Sequence, residues 1–123
     1  RLHLMGLTSN GNVHASEGHY FALLELCARH GLLGDNVVFH AFTDGRDTPP
    51  QSGLGFLSRL LEQMMHTGSG CIGSVIGRYF AMDRDTRWPR VRQAYECLTS
   101  GKGHTAPDAI SAIQNAYNRG ETD

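Results

Sequence analysis

The apolar positions change period several times along these 123 residues. Leu2 to Leu7 is a short run of the length of a buried strand, and Thr8-Ser9-Asn10-Gly11-Asn12 breaks it. Between Ser16 and His30 the residues Tyr20, Leu23, Leu24 and Cys27 recur at helical steps. Ser16 is placed to cap that helix and Gly31 to close it in the left-handed conformation. Val37 to Phe42 is β-branched and aromatic, as a strand buried on both faces requires. A second helix is predicted over Ser52 to His66, with Leu54, Leu57, Leu61 and Met64 on one stripe, ended by Gly68-Ser69-Gly70. Cys71 to Ile76 reads as a third strand and Gly77 to Asp85 as the loop after it. A third helix follows over Trp88 to Ser100, with Pro89 in its first turn. The last helix is predicted to start at Thr105, with Pro107 first in the helix, and to end at Gly120.

Strand and helix in strict alternation define an α/β domain, three-layered α/β/α with a mostly parallel sheet, spanning 1–123 as a single unit. Such sheets bind ligands beyond the carboxyl ends of their strands. The loops at those ends carry His14, then Arg46 with Asp47, then Arg78 and Arg84. Chemistry is therefore expected at one sheet edge.

Composition sharpens this picture. A net charge of −1 excludes a general electrostatic grip on nucleic acid or an anionic membrane, and no apolar run is long enough to span a bilayer. Ten of the eleven basic residues are arginine, the side chain that grips phosphate or carboxylate through two parallel hydrogen bonds. Cys27, Cys71 and Cys97 are odd in number and far apart, and read as buried free thiols of a reducing compartment. The opening Arg1-Leu2-His3-Leu4, without an initiator Met, reads as part of something longer.

Two loops carry the candidate chemistry, and each admits two readings. Asp44-Gly45-Arg46-Asp47-Thr48 is either an Asx-turn with a local ion pair or an anion-binding arginine beside a carboxylate that moves a proton. Arg78 and Arg84 are either part of an exposed mixed-charge loop or anion ligands strengthened by the apolar neighbours Tyr79, Phe80 and Met82. Arg87, Arg90 and Arg92 read as a solvated helix face, and His3 and His40 as packed core or sheet-edge histidines. His14, on a loop by itself, is as compatible with structural duty as with binding. His14, His40, Asp44 and Asp47 have metal-binding side chains but no ligand spacing, so no metal is assigned to this chain. No glycine-rich phosphate loop and no Ser–His–Asp or Cys–His arrangement stands out.

Four stretches resemble the cofactor-independent phosphoglycerate mutases: Leu2-His3-Leu4-Met5-Gly6-Leu7 running to Val13-His14, His40-Ala41-Phe42-Thr43-Asp44-Gly45-Arg46-Asp47-Thr48-Pro49-Pro50, Gly77 to Trp88, and Tyr117 to Asp123. That family combines a phosphatase-like metal domain with an inserted α/β substrate domain, and this chain is similar to the first, larger part of the insert. The resemblance implies interconversion of 3-phosphoglycerate and 2-phosphoglycerate in glycolysis and gluconeogenesis, through a phosphoserine formed in the other domain with two Mn2+ or similar ions. It implies Asp47 as the catalytic proton carrier, and His14, Arg46, Arg78 and Arg84 as substrate ligands with it. It also implies a cytoplasmic protein, and a fragment inactive without the phosphatase-like domain of the same chain. The pattern departs from the family around His14, where Asn10, Asn12 and Ser16 replace an acid, a glycine and a second histidine. That change favours an alternative from another class, a non-catalytic anion-binding or interaction module that keeps the site without the chemistry.

Overall fold

The computed structural model describes all residues from 1 to 123. Strands β1 (Leu2–Leu7), β2 (Gly34–Thr43) and β3 (Ser69–Gly77) are separated by helices α1 (Glu17–Arg29) and α2 (Gly53–Thr67). The one-turn helix α3 (Arg78–Ala81), α4 (Trp88–Ser100) and α5 (Ala109–Asn118) follow. The strands pair in parallel in the order β1-β2-β3.

Alternation along β2 builds two cores. Val37, Phe39 and Ala41 face one way, against Tyr20, Leu24 and Cys27 of α1, Leu57, Leu60 and Met64 of α2, and Ile113 of α5. Phe42 faces the other way and meets Leu7, Ile76 and Ala94 of α4. Helices cover both faces, which is the three-layer α/β/α arrangement the sequence predicts. The second face is covered only toward the carboxyl ends of the strands. Toward the amino ends, His3 and Met5 remain exposed, Met5 at 58%.

Several boundaries differ from expectation, for physical reasons. Pairing of Gly34 with Ser69, supported by the Gly34 N–H donating to the Gly68 carbonyl at 2.8 Å, extends β2 and β3 beyond Val37 and Cys71. Gly68 alone therefore closes α2, at φ +67°, and Ser69 already belongs to β3. Gly73 is the extra residue where the register shifts between Phe39 and His40; a methyl there would lie 2.5 Å from Val38 Cγ1. The last helix starts at neither Thr105 nor Pro107. Asp108 caps it by accepting the Ser111 N–H at 2.7 Å and the Ser111 hydroxyl at 2.9 Å. Ser16 occupies the cap position of α1 without making a capping bond, whereas Gly31 takes the expected left-handed conformation.

The remaining expectations divide in the same way. The three cysteines are free, but only Cys27 is buried; Cys71, on the edge strand β3, and Cys97, on α4, are partly exposed. His40 is buried on the central strand and His3 exposed on the edge strand. Their rings stack with His3 Nδ1 2.9 Å from His40 Nε2, and His40 Nδ1 is 2.8 Å from Ser74 Oγ. Arg87 and Arg92 are solvated, but Arg90 is not: it packs 3.7 Å over the Tyr79 ring and 3.5 Å from the buried carboxylate of Asp83. β3 is an open edge whose nine residues include no charge and no proline.

Candidate anion-binding site

Each strand delivers one polar group to the same edge. β1 ends at Leu7, and Thr8 and Ser9 beyond it are buried, the Thr8 N–H still donating to the Phe42 carbonyl at 2.8 Å. β2 ends at Thr43 and places Asp44 in the interior; β3 ends at Gly77 and places Arg78 above it. Ser9 Oγ donates to Asp44 Oδ2. A single Arg78 nitrogen donates to Asp44 Oδ1 at 2.5 Å and to Asp47 Oδ2 at 2.8 Å. The Asp44 side chain has no exposure, against 13% for Asp47 and 14% for Arg78. Burial opposes the charge on Arg78. Its hydrogen bonds to Asp47 and Asp44, and their negative charges, outweigh that cost and hold the guanidinium above its ordinary range.

The turn itself is closed by backbone and hydroxyl bonds onto one carbonyl. Asp44 O accepts from Asp47 N at 3.2 Å, Thr48 N at 3.0 Å and Thr48 Oγ1 at 2.7 Å. The ion pair of this loop is thus not the local one with Arg46; it reaches across the sheet edge to Arg78, 31 and 34 residues away. The β1–α1 loop is packed against it, since a methyl on Gly11 would sit 3.1 Å from Asp47 Cβ. Asn12 in that loop has φ +56°, a conformation Asn tolerates better than most residues.

Asp47 and Arg78 are therefore brought together. Arg46, Arg84 and His14 are exposed and make no side-chain hydrogen bond or ion pair. Asp83, beside Arg84, accepts the Arg87 N–H at 2.8 Å and so fixes the approach to α4, where Thr86 is held at φ +56°. Ser9, Asp44 and Asp123 are members of the site region that sequence reasoning did not assign. Asp44 carried a signal in its loop motif; Ser9 and Asp123 carried none beyond the stretches they sit in. A cleft of about 530 Å³ starts at Thr43, Gly77 and Asp123 and runs along the edge of β3 between α4 and α5. It flanks the acid–arginine cluster and does not contain it.

No group of three or more His, Cys, Asp or Glu side chains comes together as a metal site. Nor is any helix long and apolar enough to cross a membrane. The site is therefore a parallel sheet whose carboxyl edge holds a mostly buried arginine between two carboxylates, with Arg46 and Arg84 unpaired on the loops of the same edge, the place where α/β sheets of this kind bind ligands.

The comparisons with known proteins give the family. The chain matches the model of the BPG-independent PGAM N-terminus over residues 1–123, and it belongs to that family. It is 50% identical over 123 residues to the 2,3-bisphosphoglycerate-independent phosphoglycerate mutase of Syntrophotalea carbinolica, covering 100% of this chain and 24% of that protein. It is 52% identical over 122 residues to that of Myxococcus xanthus, covering 99% and 23%. The crystal structure of Leishmania mexicana phosphoglycerate mutase at low cobalt concentration superposes with a TM-score of 0.87 at 30% identity, covering 96% of this chain and 22% of that one. The chain thus spans about a quarter of the length of these relatives.

Proposed function

We propose that this chain is the substrate-binding part of a phosphoglycerate mutase, within an inserted α/β domain of a longer two-domain enzyme, and that it holds 3-phosphoglycerate and 2-phosphoglycerate at the carboxyl edge of its sheet. The observation that carries the reading is the bridged Asp44–Arg78–Asp47 cluster flanked by unpaired Arg46 and Arg84. Asp44, fully buried and also held by Ser9, serves as the permanent counter-ion that orients Arg78. Asp47 is the exchangeable partner. An arriving phosphate or carboxylate takes its place on Arg78 and leaves it free to carry a proton between the glycerate hydroxyls. Arg46, Arg84 and His14, exposed and without side-chain partners, are the groups whose side chains turn onto the ligand.

Family membership supports the mutase reading, and the names of the relatives supply its substrates. An accessible surface of 7277 Å², against roughly 6,500 Å² for a compact chain of this mass, supports further protein packed against it. The phosphoryl-transfer chemistry, with its serine and two divalent ions such as Mn2+, is assigned to the phosphatase-like part of the polypeptide. The side chains here do not form a site for such ions, and no step is routed through them. On this reading the 123 residues bind phosphoglycerate in the cytoplasm without turning it over alone.

The test is an NMR titration with 3-phosphoglycerate, using sulfate as control anion. Shifts at His14, Arg46, Asp47, Arg78 and Arg84 that saturate at lower phosphoglycerate than sulfate are expected. Equal response to both anions would reduce the site to a non-selective anion module, and no response would overturn the assignment.

A further inference from the structure

We propose that Asp123 is a positioning residue for the substrate loop: its carboxylate caps α2 from outside the helix, and its backbone pins Asp44–Pro50 so that Arg46 and Asp47 are presented at the sheet edge. The inference rests on the phosphoglycerate-binding reading and adds to it a residue that touches none of the proposed ligand groups.

The N-terminus of α2 lacks a cap of its own. Ser52 stands at the capping position, but its hydroxyl turns back to the Pro49 carbonyl at 2.7 Å and Thr48 Oγ1 at 3.0 Å. The orphan Gly53 N–H donates instead to Asp123 Oδ2 at 2.6 Å, across 70 residues of sequence. The other carboxylate oxygen accepts the Tyr117 hydroxyl at 2.5 Å, from the end of α5. The Asp123 N–H donates to the Pro50 carbonyl at 2.9 Å. One residue thereby joins the start of α2, the end of α5 and the substrate loop. Its charge is favourably placed against the positive end of the α2 dipole.

The glycines around it are explained by space. A methyl on Gly45, inside the substrate loop, would lie 2.5 Å from the Asp123 carbonyl oxygen and 2.8 Å from its Cβ; one on Gly53 would lie 2.6 Å from Oδ1. Neither glycine has a positive φ, so alanine is excluded by Asp123 and not by the backbone. Burial raises the Asp123 carboxyl above its ordinary value, and the bonds from Tyr117 and Gly53 counter that shift. The nearby charge of Asp44 adds to it. The carboxylate is thus held where it carries an electrostatic cost, as a strut between elements rather than a solvated side chain.

The experiment uses the 123-residue chain and reads two quantities by NMR, amide hydrogen exchange and 3-phosphoglycerate affinity. Asp123→Ala and, independently, Gly45→Ala are expected to speed exchange in 44–50 while the amides of Val37–Ala41 are unchanged. They are expected to weaken 3-phosphoglycerate binding about five- to tenfold, the equivalent of a lost cap. Asp123→Asn keeps an acceptor for Gly53 and is expected to restore affinity to within about twofold of the unsubstituted chain. Exchange that rises equally in β2, or faster loop exchange with unchanged affinity, would overturn the positioning role. So would failure of the asparagine to rescue. If the unsubstituted chain does not bind 3-phosphoglycerate, the functional reading fails, and the loop exchange still decides whether Asp123 holds the loop.

Discussion

Arg78 and Arg46 stand on neighbouring loops of one sheet edge, and their surroundings are opposite. Arg78 is mostly buried and shared between two carboxylates; Arg46 is exposed and binds nothing. Arg84 and His14 belong with Arg46. A buried arginine must be paired, because an unpaired charge in the interior is costly. It is therefore positioned before any ligand arrives, and its pairing is part of the fold. An exposed arginine costs little to leave alone and is oriented only when an anion binds. The comparison separates a centre that is built from a rim that is recruited.

The largest effect that tests this separation is Arg78→Ala. Leaving Asp44 and Asp47 without their cation is expected to cost about 3–5 kcal/mol in urea unfolding, together with all detectable 3-phosphoglycerate binding. If Arg78→Ala unfolded like the unsubstituted chain, the centre would be no more built than the rim. Asn12→Ala, which removes the residue best suited to its left-handed turn, is expected to cost about 1 kcal/mol and to disturb His14 before Arg78. For Arg46→Ala and Arg84→Ala, stability is expected to stay within about 0.5 kcal/mol while each weakens 3-phosphoglycerate binding. A large loss of stability in either would move that arginine from rim to centre.

The smallest effect comes from the histidine pair on the far side of the sheet, and it is read in pH. Burial, and then the charge of His3, lower the His40 value below its ordinary 6.5. Between the lowered value and 6.5 the unfolded chain binds more protons than the folded one. Stability is therefore full above 6.5 and declines as pH falls through that window. The groups facing His40 are His3 and Ser74, with Cys97 beyond Ser74. His40→Gln is expected to flatten the dependence of the unfolding midpoint on pH in this range. The same substitution should leave phosphoglycerate affinity unchanged, since the pair lies outside the site.

The parallel pairing of the strands is legible because strand-like and helix-like runs alternate along the chain. Trp88–Ser100 agrees with expectation residue for residue, with Pro89 in its first turn, and the structure closes it with Gly101 in the left-handed conformation. What could not be read was long-range. The length of β2 and β3 depends on how Gly34 meets Ser69, and the start of α5 on Asp108 winning over Thr105 for the cap. The site showed the same limit. Asp47 and Arg78 could be placed on one edge from topology, yet their shared nitrogen, the buried Asp44 and the Ser9 hydroxyl are tertiary facts. Asp123 caps a helix it does not belong to, and no local spacing announces that.

The bare edge of β3 has a consequence for anyone who prepares this chain. Strands left open in natural sheets are guarded by lysine, proline or a covering element, because their free amides and carbonyls accept any passing strand. Ser69–Gly77 carries none of those guards in its own sequence. It is therefore the seam along which copies crowded together in a tube are expected to pair edge to edge, a tendency that light scattering of an increasingly concentrated sample would show.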